Sequence, residues 1–262
     1  MTANYRPYLD FAAETAYLAG RLTLGYFQTG VRPDMKVDET PVTAADRASE
    51  QLIRSRIEKR YPQHAIVGEE YGATGHVGAE FRWFVDPIDG TKSFVRGVPL
   101  YGVLIGLEIA GTVEVGAAYL PALDEMVAAA TGEGCWWNGR RAHVSGVTDL
   151  RQATVCFTDV ADLAHHTRAS AWKRIQATTN YRAGWGDCYG HILVATGRVE
   201  LMLDPIMSAW DCGPFPVILR EAGGYSGDWQ GNPTVYGNEL LSTTQALLPQ
   251  VLALIQQANH GG

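Results

Sequence analysis

The first sixty residues carry two helical patterns. Over residues 5–28, Leu9, Ala12, Ala13, Ala16, Leu22 and Phe27 fall mostly on one face at helical spacing. Gly30, Pro33, Asp34, Asp38 and Pro41 then break the pattern and predict a loop over 29–42. Thr43 stands at an N-cap position with Asp46 three residues on, a capping-box-like start to a second helix that ends near Arg60. Leu52, Ile53 and Ile57 are its inward positions, and Glu50 and Arg54 form an i,i+4 pair expected on its exposed face.

From residue 66 the signal turns to strands. Ile66-Val67-Gly68 is short and apolar, and Trp83-Phe84-Val85 runs directly into Asp86. The apolar runs Tyr101 to Leu107, Val113 to Tyr119 and Met126 to Ala130, separated by turn residues, predict an antiparallel meander. The second half mixes elements: a strand at 153–157, helices near 162–177 and 187–196, a strand at 199–203, and helices near 211–222 and 247–258. A soft boundary near residue 148 divides an N-terminal α+β half (1–148) from a C-terminal α/β half (149–262), expected to act as one catalytic unit.

Composition narrows the function classes. A chain of 262 residues with 46% hydrophobic and 19% charged residues buries a core without staples. A formal net charge of −7 gives no footprint for a nucleic-acid or anionic-membrane partner. Cys135, Cys156, Cys188 and Cys212 are scattered, with no C-x-x-C pair, which predicts a reduced, cytoplasmic protein with buried thiols. No signal peptide is expected at the N-terminus. Residues 240–262, the longest uncharged stretch, carry too many Ser, Thr and Gln to span a membrane.

The strongest chemical signal is Asp86-Pro87-Ile88-Asp89-Gly90-Thr91. An apolar strand ends in two hard oxygen ligands, and Pro87 removes a backbone donor between them. The Ile88 carbonyl is then available as a third oxygen. Oxygen-only ligation suits Mg²⁺ or Mn²⁺ rather than zinc. Gly90-Thr91 opens a helical turn through Val95, whose N–H groups could hold a phosphate. In isolation, a strand followed by an Asp-Gly turn explains the same residues equally well. Two further carboxylate clusters tip that balance: Gly68-Glu69-Glu70 after a strand, and Trp210-Asp211 at a helix start, where Asp211 could simply be an N-cap.

These pieces in this order, with Glu221-Ala222-Gly223-Gly224 ten residues after Asp211, resemble the inositol monophosphatase family of metal-dependent phosphatases. The resemblance runs from about residue 10 to the end. It implies a layered α/β sandwich, αβαβα, in which an antiparallel sheet is followed by a second α/β half. It implies that Glu69, Asp86 and the Ile88 carbonyl hold one Mg²⁺, that Asp86, Asp89 and Asp211 hold a second, and that a weaker third lies near Glu69. Thr91 would position the attacking water, with Asp46 behind it to take up the hydroxyl proton. The N–H groups of Gly90 and Thr91 would bind phosphate oxygens. Lys36 matches the lysine of a mobile loop near the third metal, with a solvated loop lysine as the alternative.

Phosphomonoester hydrolysis is among the slowest uncatalysed reactions, with accelerations that approach ~10²¹-fold. Paired cations neutralise the ester's charge and need no covalent nucleophile. Consistently, G-x-S-x-G, G-x-x-x-x-G-K-[ST] and H-E-x-x-H are all absent. The segment Arg182 to Gly190, containing Gly186-Asp187-Cys188-Tyr189-Gly190, resembles the histidinol-phosphate phosphatase branch, as does Lys92 to Pro99. Histidinol phosphate carries an ammonium and an imidazole, and Asp187 and Asp204 could pair with them, with Arg182 alongside. An N-cap for Asp187 and a turn residue before Pro205 for Asp204 are the alternatives. Inositol, sugar and nucleotide monophosphates are the competing substrates, and a metal-binding fold without turnover is the competing class. His165 and His166 read as solvated, and His191 as a helix residue rather than a ligand. The family resemblance also implies a homodimer, for which Trp136-Trp137, Trp172 and Trp185 are candidate contacts beside their default of burial.

Overall fold

Helical layers and sheets alternate in the structure, a computed structural model that describes residues 4–36, 41–76, 78–165 and 169–257. Among these residues the N-terminal half comprises α1 (Arg6–Leu24), β1 (Asp34–Met35), β2 (Pro41–Val42), α2 (Ala44–Arg60), β3 (Ala65–Gly68), β4 (Gly72–Thr74), β5 (Phe81–Asp89), α3 (Thr91–Val95), β6 (Gly102–Ile109), β7 (Thr112–Leu120), β8 (Glu125–Ala130), β9 (Gly134–Trp137) and β10 (Arg140–Arg141). There follow β11 (Thr154–Phe157), α4 (Val160–His165), α5 (Ala169–Thr178), β12 (Tyr181–Ala183), α6 (Asp187–Ala195), β13 (Leu201–Asp204), α7 (Ala209–Cys212), α8 (Phe215–Glu221), β14 (Gly224–Gly227), β15 (Leu240–Thr244) and α9 (Leu248–Gln256).

An eight-stranded sheet runs β10-β9-β8-β7-β6-β5-β3-β4, and a five-stranded sheet runs β12-β11-β13-β15-β14. From β5 to β10 the pairing is antiparallel, and β6, β7 and β8 are the predicted meander. Strand alternation sorts the side chains into layers. Val103, Ile105 and Leu107 of β6 meet Ala12, Ala16, Ile53 and Ile57 of α1 and α2. Leu104, on the opposite face, joins Ile192 of α6 and Phe215 and Leu219 of α8. Met202 of β13 packs into that same middle layer, while Leu201 and Leu203 turn to Trp172 and Ile175 of α5 and Val251 and Ile255 of α9. The order is therefore αβαβα, as the resemblance implied. With both faces of each sheet covered, their strands read as continuous apolar runs.

Several expectations need correction. The first helix ends at Leu24, and residues 25–30 are turns. The helix expected over 211–222 is two helices, because Pro214 lacks an N–H and instead stands at the N-cap of α8. β4, β9, β10, β12, β14 and β15 were not expected: they are short, and β15 (Leu-Leu-Ser-Thr-Thr) is buried along its whole length. Trp172 is a core residue against Phe157, and Trp185 is exposed. Residues 37–40 of the 29–42 loop, and the side chains of His165 and His166, lie outside the described residues.

Glu50 and Arg54 are buried rather than exposed, with Glu50 at 0% exposure. The i,i+4 pairing holds, with Arg54 Nε donating to Glu50 Oε1 at 2.6 Å. It points inward because the loop after β3 needs an acceptor: Glu50 also accepts the backbone N–H groups of Glu70 (2.7 Å) and Tyr71 (3.2 Å). A Cβ at Gly68 would lie 2.1 Å from Glu50 Oε1, so only glycine fits above this carboxylate.

Candidate active site

Four carboxylates converge from three segments. Asp86 and Asp89 lie at the end of β5, three residues apart, and on a regular strand such residues face opposite sides. Here the β5–β6 register shifts between them, Asp86 pairing with Leu104 and Asp89 with Gly102. The extra residue is a bulge between Asp86 and Asp89, which re-aims Asp89 into the cleft that Asp86 faces. The Ile88 N–H donates to Asp86 Oδ1 at 3.0 Å and fixes that carboxylate. Glu69 follows β3, which runs parallel to β5, and its N–H donates to the Val85 carbonyl at 3.2 Å. Glu69 is thereby placed beside Asp86.

Asp211 arrives on α7. It is not the N-cap: Ser208 is, and Asp211 is its capping-box partner, accepting the Ser208 N–H on Oδ2 at 2.7 Å. α7 is seated by glycines. Gly106 and Gly116 face each other on β6 and β7, and a Cβ on them would meet the carbonyl oxygens of Gly213 at 2.4 Å and Pro214 at 2.3 Å. The α7–α8 junction therefore lies flat on the sheet. As a result, ligand atoms of Asp86, Asp89 and Asp211 all lie within 4.8 Å of one another.

Such crowding is expensive for anions. Burial and the neighbouring Glu69, Asp89 and Asp211 push Asp86 well above the usual carboxylate range. Burial, with Asp187 and Asp211, does the same to Asp89. Burial raises Asp211 to about 6, although the Ser208 N–H opposes it. Burial raises Glu69 to about 7 against the pull of Lys36. Lys36 is no solvated lysine: Nζ donates to Glu69 Oε1 and Glu70 Oε1, both at 2.7 Å. Burial works against its charge, but the two carboxylates outweigh that and raise it above the ordinary lysine value.

Thr91 stands over this floor. Its hydroxyl donates to the Ile88 carbonyl at 3.0 Å and lies 3.4 Å from Asp46 Oδ1. Asp46 is buried, and its Oδ2 accepts the Thr43 N–H at 2.7 Å and the Thr43 hydroxyl at 2.6 Å. The predicted capping box thus presents the other oxygen to Thr91. Gly90, with φ of 82°, adopts a conformation few L residues tolerate and turns the chain into α3. Asp46 and Asp211 play matching parts: each spends one oxygen on a helix cap and turns the other toward the site.

The far wall comes from the C-terminal half. Asp187 is not an N-cap either, since Gly186 holds that position and Asp187 follows it with φ of 52°. This unusual conformation is braced by Thr158, whose hydroxyl accepts the Asp187 N–H at 2.8 Å. The next amide, Cys188 N–H, donates to Asp89 Oδ2 at 2.5 Å and ties the wall to the floor. Burial, then the charge of Asp204, raises Asp187 to about 7. Asp204 ends β13 and is 3% exposed. Asp162 of α4, together with Thr158, Ile206 and Met207, lines the same cleft. None of these four stood out in the sequence, because their placement depends on how the second sheet docks. Arg182 is corrected: its guanidinium donates to the carbonyls of Gln176 (3.0 Å) and Thr179 (2.6 Å), and it does not line the cleft.

The cleft has a volume of about 160 Å³. Among the described residues it is lined by acids on both sides and by no lysine or arginine, with Lys92 in an adjoining pocket. Hard, buried, all-oxygen donors with so little compensating positive charge fit divalent cations of the Mg²⁺ or Mn²⁺ kind. The Ile88 carbonyl, which has two lone pairs, retains one beyond its bond to Thr91.

A layered αβαβα sandwich with a carboxylate floor beneath a threonine-headed turn is the framework of a metal-dependent phosphomonoesterase. The chain belongs to the inositol monophosphatase family, whose sequence model matches residues 4–260. A histidinol-phosphatase of Chlorobaculum parvum is 41% identical over 251 residues, covering 95% of this chain and 96% of the relative. A histidinol-phosphatase of Mycobacterium tuberculosis is 36% identical over 228 residues, covering 85% and 87%. Among solved structures, an inositol monophosphatase from Anabaena superposes with a TM-score of 0.85 at 28% identity, covering 97% of each chain. No helix among the described residues is long and apolar enough to cross a membrane.

Proposed function

We propose that this chain hydrolyses histidinol phosphate to histidinol and phosphate, a step of histidine biosynthesis in the cytoplasm. The observation that carries the reading is the far wall: Asp162, Asp187 and Asp204 face the carboxylate floor, and among the described residues no lysine or arginine lines the cleft between them, Lys92 standing in the adjoining pocket. A phosphate ester whose alcohol is a polyol donates neutral hydroxyls to these carboxylates and leaves their charge uncompensated. One whose alcohol carries an ammonium and an imidazole gains charge-assisted hydrogen bonds. The names of the two relatives above agree with it.

Glu69, Asp86, Asp89, Asp211 and the Ile88 carbonyl are the residues that would hold Mg²⁺, or Mn²⁺ in its place. The bound ions would neutralise the phosphate oxygens, acidify a water and stabilise the leaving alkoxide. Lys36 Nζ holds Glu69 Oε1 at 2.7 Å, so an ion beside that oxygen would require Lys36 to release it. Thr91 orients the attacking water by accepting its hydrogen, while its single hydroxyl hydrogen is shared between the Ile88 carbonyl at 3.0 Å and Asp46 Oδ1 at 3.4 Å and turns to Asp46 for the transfer. Asp46 draws the proton through Thr91, and its capping bonds to Thr43 keep it from turning away. The N–H groups of Gly90 and Thr91 hold phosphate oxygens. The water oxygen bonds to phosphorus as the bond from phosphorus to the alcohol oxygen breaks; the attacking water's proton passes to Asp46, and the leaving alkoxide takes its proton from a solvent water in the cleft. Asp187 and Asp204 hold its cationic end.

The test is phosphate release from histidinol phosphate, inositol 1-phosphate and 3′-phosphoadenosine 5′-phosphate, each with Mg²⁺ and with chelator. The expected result is metal-dependent turnover highest on histidinol phosphate. Higher turnover on either of the others would overturn the substrate. We also propose a homodimer, for which sedimentation at monomer mass across assay concentrations would be the contrary result.

A further inference from the structure

His191 lies four residues after Asp187 on α6, one turn along the same helix face. It is fully buried, and nothing in the chemistry above uses it. Its Nε2 is 3.2 Å from Asp204 Oδ2, and its Nδ1 is 2.8 Å from Ser242 Oγ on β15. Ser242 Oγ is in turn 3.1 Å from Ser226 Oγ on β14. The ring packs on Phe215 with centroids 4.7 Å apart. The imidazole is thus gripped at both nitrogens and on one face, so it has a single orientation in which to meet Asp204.

We propose that His191 is a positioning residue for substrate choice. It pins one oxygen of Asp204 so that this carboxylate faces the cleft as counter-ion to the cationic end of the alcohol. The inference rests on the cationic-ester reading above and deepens it. A carboxylate has only acceptors, so Nε2 opposite it carries the hydrogen. Without that donor, Asp204 at the end of β13 has one fewer restraint, and a buried carboxylate that loses its partner turns to find another. The nearest cleft surface is acidic and offers none. Through α6, one helix then serves recognition twice: Asp187 reaches the cleft directly, and His191 reaches Asp204 from behind.

The readout is the ratio of kcat/KM for histidinol phosphate to that for p-nitrophenyl phosphate, whose alcohol is uncharged, measured with Mg²⁺ present. His191→Phe is expected to lower this ratio about tenfold, through KM for histidinol phosphate rather than kcat. His191→Gln, whose amide can donate to Asp204, is expected to restore most of it. Asp204→Asn alone and His191→Phe with Asp204→Asn are expected to give the same ratio, because the two changes remove one interaction. Should His191→Phe fail to fold, Ser242→Ala decides: it frees the ring to turn and is expected to lower the ratio about threefold. If Asp204→Asn lowers the ratio while the His191 and Ser242 variants leave it unchanged, His191 is a packing residue and the proposal falls alone. If the wild-type protein shows no preference for histidinol phosphate, and Asp187→Asn and Asp204→Asn leave the ratio where it was, the substrate reading falls and takes this one with it.

Discussion

On the floor of the cleft, Asp86, Asp89 and Asp211 are aimed by backbone: a one-residue bulge, an N–H two residues on, and a helix cap. On the far wall, Asp204 leans on an imidazole from another element, and Asp187 is held in a left-handed conformation by a threonine hydroxyl. On the function proposed above, the floor, set by local geometry, would serve any phosphate ester, and the wall, assembled from long-range side-chain contacts, would serve one kind of alcohol. Chemistry and selectivity in this molecule are therefore built by different means, and substitutions should separate them.

The sharpest break is on the floor. Asp89→Asn is expected to cut turnover on every ester by about 10³-fold, because a floor with one charge fewer no longer stabilises the transition state. Equal loss on histidinol phosphate and p-nitrophenyl phosphate is the diagnostic, and a variant that kept wild-type rates would refute the floor's role. Next comes the support beneath it. Glu50→Gln keeps the shape but weakens the acceptor for the Glu70 and Tyr71 amides, and should weaken Mg²⁺ binding about tenfold by calorimetry. Unchanged affinity would leave Glu50 a purely structural residue.

A smaller and selective effect belongs to the wall. Asp187→Asn is expected to reduce the preference for histidinol phosphate over p-nitrophenyl phosphate about tenfold, and a uniform loss on both esters would erase the distinction between floor and wall. The mildest effect is on stability. In the metal-free protein Glu69 and Asp187 stand at about 7 and Asp211 at about 6. The folded chain therefore keeps protons that the unfolded chain has released between about pH 4 and pH 7, and stability falls as pH rises through that window. With chelator present, Tm should be higher at about pH 5.5 than at about pH 8, and Mg²⁺ should raise it more at the higher pH, where it does not compete with protons. A metal-free Tm that climbed toward pH 8 would contradict the crowded floor.

The same contrast explains what the residues alone disclosed. The floor was legible because its ligands sit in short contiguous motifs at strand and helix ends, and the layered fold followed from apolar runs that really are buried on both faces. Lys36 was legible only through the family resemblance, with a solvated loop lysine as the alternative, because its choice between solvent and Glu69 depends on where a loop folds. Glu50 was misjudged because an i,i+4 ion pair looks the same on either face of a helix, and only the tertiary need of two amides for an acceptor turns it inward. Asp162 and Thr158 carry no local signal at all. Arg182 illustrates the opposite error: a charged residue beside a suggestive motif that the end of α5 takes up with its carbonyls. For His191 a faint signal did exist, its i,i+4 spacing from Asp187 on one helix.

The paired glycines at 106 and 116 have a consequence for motion. With no side chains between them and the α7–α8 junction, that junction and the central sheet touch backbone to backbone, and Gly213 would meet Phe84 Cβ of β5 at 2.7 Å if it carried a Cβ. There is no soft layer in which the floor could slide. The opposite side is tied down as well: a Cβ at Gly186 would lie 2.5 Å from Thr158 Cα, and the Cys188 N–H holds Asp89. Both sides of the cleft thus meet the rest of the fold through closely packed backbone.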